Sequence, residues 1–153
     1  MDSEFIKRQK DDFFRDFSAL GGVWIYLLAV VVFLIRKEYQ LVKRLFVGLI
    51  LLYIIVILIR SFYFKHRPNK LGYSSFIGKI DASSFPSQHS SRITFMSAVL
   101  AVYYNTTTFC IALAFIAILV IYSRVYLKKH DVIDVIAGIG IGLAVYFLTG
   151  LMI

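Results

Sequence analysis

Long apolar runs separated by short charged segments dominate the chain. Residues 18–35 and 93–123 carry no charged side chain, and residues 45–64 carry only Arg60. About 20 helical residues span the hydrocarbon core of a bilayer, so each run is long enough for a transmembrane helix. The run over residues 93–123 is too long for one span, and Asn105-Thr106-Thr107-Thr108 divides it into two halves.

The pattern predicts an all-α fold, an integral membrane bundle of about five transmembrane helices with an interfacial amphipathic helix at the N-terminus. The expected spans form one domain over residues 18–153, and they cover 18–35, 45–64, 86–104, 106–123 and 131–153. Residues 1–17 mix five acids and four bases with phenylalanines, which fits a helix at the membrane interface. A solvated helix that only packs on the bundle fits equally well.

Composition supports the membrane assignment. Hydrophobic residues make up 59% of the 153 residues and charged residues 17%, and the mean hydropathy is +0.78. The net charge is +8. Because the cations lie between apolar runs, we expect lipid phosphate and the bilayer surface as partners rather than nucleic acid. The single cysteine, Cys110, excludes an internal disulfide, and too few carboxylates lie near the cations to predict a metal or another cofactor.

A polar, cationic island over residues 123–134 interrupts two apolar runs. His130 and Asp134 are four residues apart, so on a helix that begins near His130 the carboxylate would orient the imidazole. Arg124 precedes His130 by six residues, which leaves room for a short turn that brings cation and imidazole together. A histidine oriented in this way can act as a nucleophile or a base.

Arg60 and Arg67 form a second cationic feature. Their separation is close to two helical turns, so both guanidinium groups are expected on one stripe of a helix that Pro68 ends. A charge this close to the hydrocarbon costs about 2 to 3 kcal/mol and is usually paired or functional. Two guanidinium forks on one face can clamp a phosphate, although an arginine that only snorkels to the interface is the alternative.

A third polar feature marks the start of the predicted third span. Residues 69–85 form a polar loop that could serve as a substrate-access rim, and a helix is expected to open near Pro86. Ser87, Gln88 and His89 would then lie in its first turn, where free backbone N–H groups attract an anion. With five alternating spans, this feature and the island over residues 123–134 fall on the same side of the membrane.

Together the three features resemble the signatures of the phosphatidic acid phosphatase type 2 superfamily of membrane phosphatases. Arg60 to Arg67-Pro68 resembles K-x6-R-P, and Pro86-Ser87-Gln88-His89 resembles P-S-G-H. The third signature, S-R-x5-H-x3-D, resembles the stretch from Ser123 to Asp134. The chain departs from the family at Arg60, where lysine is usual, and at Gln88, where glycine is usual. The resemblance covers roughly residues 45–148.

The resemblance implies a metal-independent lipid phosphate or diphosphate phosphatase that works through a phosphohistidine. His130 would be the nucleophile, Asp134 would fix its tautomer, and His89 would be the acid that protonates the leaving group and then the base that activates water. The implied substrate-binding residues are Arg60, Arg67, Ser87, Gln88 and Arg124. Small size favours a polyprenyl diphosphate as substrate, with phosphatidylglycerophosphate or phosphatidate as alternatives.

Two readings from other classes remain open at this point. One is a catalytically silent protein that binds lipid phosphate, because Arg60 and Gln88 depart from the family pattern. The other is a transporter whose histidines relay protons. The family usually places its site on the extracytoplasmic face of the plasma membrane, which we expect here. The predicted active face holds 13 of the 17 Lys and Arg residues, and the positive-inside rule alone argues the reverse.

Overall fold

The computed structural model describes residues 3–69, 72 and 74–152, and these residues contain helices and no strand. The all-α prediction is therefore confirmed over the described part of the chain. Residues 1 and 2 of the predicted interfacial segment and residue 153 of the last predicted span lie outside it. The helices are α1 Ser3–Leu20, α2 Val23–Ile35, α3 Tyr39–Phe62, α4 Phe76–Ala82, α5 Gln88–Tyr104, α6 Thr107–Tyr126 and α7 Val132–Met152.

The helical membrane bundle is confirmed, and three or four candidate spans are found among the described residues by length and composition alone, where about five were predicted. By length and composition, α3, α6 and α7 can each cross a membrane within the described residues, and α1 with α2 qualifies as a bent pair. α5 has only 17 residues and opens with a polar turn. The continuous span expected over 18–35 is wrong, because the chain breaks at Gly21 and Gly22 and bends by 46° there. Ser18 to Leu20 belong to α1 instead.

The boundaries of α3 change the expected position of Arg67. α3 begins at Tyr39, six residues before the predicted span over 45–64, and ends at Phe62, where Tyr63 takes an extended conformation with φ −129°. The prediction that Arg60 and Arg67 share a helical stripe is therefore wrong, since only Arg60 is helical. The predicted loop over residues 69–85 also contains a helix that was not expected, α4.

The helix α5 lies at the centre of the bundle and packs on α3, α6 and α7. A Cβ added to Gly138 would lie 2.5 Å from the Ser87 carbonyl oxygen, and one on Gly142 would lie 2.6 Å from that of Ser91. Only glycine permits this approach, so the two glycines that share a face bring α7 against the backbone of α5. This contact fixes the start of α5, which forms part of the site.

Buried polar contacts hold the bend between α1 and α2 against the bundle. On α5, Arg92 donates through Nε to the Gly21 carbonyl oxygen at 3.1 Å and through Nη1 to the Tyr53 hydroxyl at 3.0 Å. The Tyr26 hydroxyl donates to the Leu45 carbonyl oxygen at 2.7 Å. These bonds satisfy groups that would be costly to bury alone, and they set the position from which α1 extends.

α1 packs along α6. The Phe14 ring lies 4.3 Å from that of Tyr126 and 5.3 Å from that of Tyr122, measured between ring centroids. Ser18, one helical turn beyond Phe14, is buried against the end of α6. Packing of α1 on the bundle therefore brings part of the N-terminal segment to the cationic island.

Candidate active site

A polar cavity of about 430 Å³ lies where α1, the start of α5 and the segments after α3 and α6 meet. The residues that line it are Arg15, Ser18, Ala19, Arg60, Arg67, Asp81, Gln88, His89, Arg124, Lys129 and His130. Six of the eight residues predicted for the site are among them, including both imidazoles. The other two, Ser87 and Asp134, are fully buried and lie behind the cavity wall.

The His130 imidazole is held by a backbone carbonyl. Its Nδ1 lies 2.7 Å from the Ser84 carbonyl oxygen. A carbonyl oxygen can only accept, so Nδ1 carries the proton and Nε2 keeps its lone pair. Asp134 was expected to orient this ring, but its Oδ2 lies 3.8 Å from Nδ1, beyond hydrogen-bond range. The helical geometry assumed for the pair is absent because α7 begins only at Val132.

Asp134 instead joins three segments behind the cavity. Its Oδ1 accepts a hydrogen bond from Lys65 Nζ at 2.7 Å, and its Oδ2 accepts from the Asp131 backbone N–H at 3.0 Å. Its carbonyl oxygen accepts from the Ser87 N–H at 2.9 Å. Lys65 also pairs with Asp131 at 2.8 Å. Asp134 therefore positions the residues around His130, and Lys65, which no motif marks, secures the segment before Arg67.

Arg60 and Arg67 already donate through terminal nitrogens to backbone carbonyl oxygens. Arg60 donates through Nη1 to the Ile80 carbonyl oxygen at 3.0 Å and through Nη2 to that of Pro86 at 2.9 Å. Nη2 of Arg67 donates to the Asp81 carbonyl oxygen at 2.6 Å. The expected bidentate clamp from Arg60 is therefore not formed by its terminal nitrogens, which brace the loop around the site.

The third arginine, Arg124, donates through Nη1 to the Ser18 hydroxyl on α1. In Arg60, Arg67 and Arg124, the Nε group is buried and has no hydrogen-bond partner among the described residues. A buried donor without an acceptor costs about 1 to 3 kcal/mol. An anion in the cavity could supply the missing acceptors, because a phosphate oxygen accepts strongly from guanidinium N–H groups.

The segment from Pro86 to His89, which resembles P-S-G-H, has two roles at the start of α5. Ser87 is the N-cap of the helix, and its Oγ accepts from the Ser90 N–H at 3.4 Å and from the Ser90 hydroxyl at 2.9 Å. Its side chain is therefore engaged in capping, away from the cavity wall. Gln88 and His89 are the first residues of the helix and line the cavity. They stand where free backbone N–H groups and the helix dipole favour an anion.

Sequence reasoning missed the contribution of α1. Arg15, Ser18 and Ala19 line the cavity, although Arg15 was expected in a helix at the interface or packed on the bundle, and Ser18 and Ala19 in the first span. The Ser18–Arg124 hydrogen bond joins residues 106 positions apart, and no local sequence pattern predicts a contact over that separation. Lys129, which no motif position marks, also forms part of the cavity wall.

Burial, together with the positive surroundings, favours the neutral form of His130. Burial, followed by the charges of Arg124 and Arg67, lowers the pKa of His130 to about 3, and Asp134 opposes this shift only in part. Burial also lowers the pKa of Arg67, and the charge of Asp81 opposes that shift. At neutral pH the His130 Nε2 lone pair is thus available to a phosphorus atom.

The low pKa of His130 predicts a pH-dependent stability. The unfolded chain binds a proton at His130 near pH 6.5, whereas the folded protein binds it only near pH 3, so this residue lowers stability as pH falls across that window. We expect the melting temperature in detergent to drop more between pH 7 and pH 5 for the native protein than for His130→Asn. Equal slopes for the two proteins would contradict the prediction.

Phosphoryl transfer requires positive charge around the nonbridging oxygens, a nucleophile and a proton donor, and an apolar helix bundle offers such a site to lipids. The protein is accordingly an integral membrane enzyme of the lipid phosphatase class. Its sequence matches the PAP2 superfamily over residues 41–153. The chain therefore belongs to the PAP2 superfamily, which confirms the resemblance drawn from its three motifs.

Two solved structures share the fold. The crystal structure of Aquifex aeolicus LpxE superposes with a TM-score of 0.76 at 23% sequence identity, covering 92% of this chain and 85% of the other. That of the first transmembrane PAP2 type phosphatidylglycerolphosphate phosphatase from Bacillus subtilis gives a TM-score of 0.75 at 24% identity, covering 94% and 76%. A search of curated protein sequences gives no match. At these identities the two structures establish the fold alone.

Proposed function

We propose that this protein is a metal-independent phosphatase that hydrolyses a polyprenyl diphosphate through a phosphohistidine at His130. One observation carries the proposal: a neutral imidazole with a free Nε2 shares a cavity with three guanidinium groups that each keep an unpartnered Nε–H. These guanidinium groups supply the charge neutralisation that phosphoryl transfer requires. The substrate phosphate and the imidazole that attacks it would lie in the same cavity.

The first half-reaction forms the phosphoenzyme. His130 Nε2 attacks the terminal phosphorus, and the bond from phosphorus to the bridging oxygen breaks as the nitrogen–phosphorus bond forms. His89, in the wall of the same cavity, donates a proton to the leaving oxygen. The Ser84 carbonyl keeps the Nδ1–H in place, so the imidazole attacks in one tautomer. Asp134 lies close enough to stabilise the positive charge that develops on the ring.

The second half-reaction releases inorganic phosphate. Water gives a proton to His89 and attacks the phosphorus, the nitrogen–phosphorus bond breaks, and His130 returns to its neutral form. Arg60, Arg67 and Arg124 hold the nonbridging oxygens in both halves, and Gln88 can donate its side-chain amide to one of them. Ser87 would act through the helix cap that sets the position of His89.

An apolar groove favours a substrate with a long hydrocarbon chain. The groove has a volume of about 760 Å³ and lies between α1 and α6, where Phe13, Phe14, Tyr122 and Tyr126 form part of its wall. Both helices also reach the cavity, α1 through Ser18 and α6 through Arg124. A prenyl chain in the groove would place its phosphate end toward His130. We place the site on the extracytoplasmic face of the plasma membrane, as in the family that the motifs resemble.

A phosphatidylglycerophosphate or phosphatidate phosphatase is the second candidate. The Bacillus subtilis structure that shares this fold bears the name of a phosphatidylglycerolphosphate phosphatase, which favours testing that substrate alongside prenyl diphosphates. The silent phosphate-binding protein and the proton-relaying transporter are weaker candidates. The first predicts binding without turnover, and the second predicts transport across vesicles.

Phosphate release by the purified protein in detergent micelles tests the proposal. We expect turnover of a polyprenyl diphosphate at a higher kcat/KM than phosphatidylglycerophosphate or phosphatidate, and we expect a chelator of divalent metals to leave the rate unchanged. Loss of activity with the chelator would contradict the metal-independent mechanism. A preference for either phospholipid would identify that phospholipid, and not a prenyl diphosphate, as the substrate. Binding without turnover would favour the catalytically silent protein that binds lipid phosphate.

A further inference from the structure

The cavity contains more positive charge than a single phosphate needs. Arg60 and Arg124 are each only 4% exposed, and Arg67 is half-buried. With Asp81 as the one carboxylate of the wall, these three arginines already balance a terminal phosphate of charge about −2. Two further cations, Arg15 and Lys129, also line the cavity.

Arg15 and Lys129 lie closer to solvent than the buried arginines. The side chain of Arg15 is 69% exposed, and its ion pair with Asp12 is a long 3.5 Å contact on the same helix face. An exposed pair of this kind contributes little, so Arg15 can exchange Asp12 for a stronger anion. Lys129 is half-buried and has no ion pair or side-chain hydrogen bond among the described residues. The cavity thus has a buried cationic end and a cationic mouth.

The backbone directs Lys129, and not its neighbour, into the cavity. The N–H groups of Lys129 and His130 both donate to the Arg124 carbonyl oxygen, at 3.1 Å and 3.2 Å. Lys128 takes a left-handed conformation with φ 53°, which is unfavourable for lysine and allows this tight turn after α6. As a result Lys128 is exposed, whereas Lys129 stands next to the nucleophile. Burial and the neighbouring positive charges, Arg15 among them, lower the pKa of Lys129.

We propose that Arg15 and Lys129 form a second anion subsite, at the cavity mouth, that binds the inner phosphate of a diphosphate whose terminal phosphate lies at His130. The inner phosphate of a diphosphate is negatively charged throughout the reaction, whereas a monophosphate would place only its ester oxygen at this subsite. The subsite therefore selects diphosphates, and it stabilises the charge that builds on the departing phosphate. The inference rests on the proposed function and deepens its substrate class.

The ratio of kcat/KM for farnesyl diphosphate to kcat/KM for farnesyl monophosphate measures the subsite. We expect this ratio to fall about tenfold in Arg15→Gln and in Lys129→Gln, and further in the double variant, because each change removes a charge-assisted contact. Arg15→Lys and Lys129→Arg keep the charge and should restore most of the ratio.

Two matched controls separate the subsite from general attraction to anionic lipids. Arg8→Gln removes a cation two turns earlier on α1, and Lys128→Gln removes the exposed neighbour of Lys129; neither residue lines the cavity. Both variants should keep the native ratio. A ratio within about twofold of the native value in the Arg15 and Lys129 variants, while farnesyl diphosphate remains a good substrate, would overturn the subsite alone. A native protein that hydrolyses only the monophosphate would overturn both the subsite and the proposed substrate.

Discussion

Replacing His130 by asparagine is expected to lower kcat at least about 10³-fold, because it removes the nitrogen that attacks phosphorus in the proposed mechanism. Asparagine keeps a polar side chain of similar reach, and its amide can donate to the Ser84 carbonyl oxygen as Nδ1–H does. The fold should therefore survive while the nucleophile is lost. Phosphate release from a polyprenyl diphosphate measures the effect.

The other two histidines make this test specific. His66 is exposed and lies outside the cavity, so His66→Asn should retain native turnover. His89→Asn should slow release of phosphate from the enzyme. With an aryl phosphate, whose leaving group needs no proton, this variant should accumulate an acid-labile phosphohistidine detectable by mass spectrometry. Label on a residue other than His130, or native-like turnover by His130→Asn, would refute the mechanism.

Replacing Arg60 by methionine is expected to reduce both stability and activity. The two carbonyl oxygens that Arg60 braces, those of Ile80 and Pro86, would lose their donors, at a cost of about 1 to 3 kcal/mol for each group left unsatisfied in a buried position. One of the three Nε–H groups of the anion site is removed as well. We expect unfolding in detergent at a lower denaturant concentration and a fall in kcat/KM of about 100-fold or more.

Arg44 provides the matched control for Arg60. It lies on the same helix and braces backbone in the same way, donating to the Tyr146 carbonyl oxygen at 3.1 Å and to the Thr149 hydroxyl at 3.4 Å, but it lies outside the cavity. Arg44→Met should lose stability and keep the native kcat/KM per folded molecule. Arg60→Lys keeps the positive charge, in the residue type that the family usually has here, and should be more active than Arg60→Met. Equal activity losses in the Arg44 and Arg60 methionine variants would show that Arg60 acts only through stability.

Much of the candidate site could be predicted because its motifs are local. The run from Ser123 to Asp134 and the segment from Pro86 to His89 each carry chemistry in adjacent residues. The even number of predicted spans between them put both on one side of the membrane. The cavity contains six of the eight predicted residues. The two that stay behind its wall, Ser87 and Asp134, were misjudged because hydrogen bonding to the backbone decides where a short polar side chain points.

The sequence by itself determined the membrane character, the helical class and the identity of the cationic and imidazole residues, since hydrophobic run length and residue type carry that information locally. Only the tertiary structure decided that Ser84 and not Asp134 orients His130, that Arg60 braces a loop, and that α1 closes one wall of the cavity. The physical reason is the same in each case. These are contacts between groups 20 or more positions apart, and packing between helices selects them from many that the local pattern equally permits.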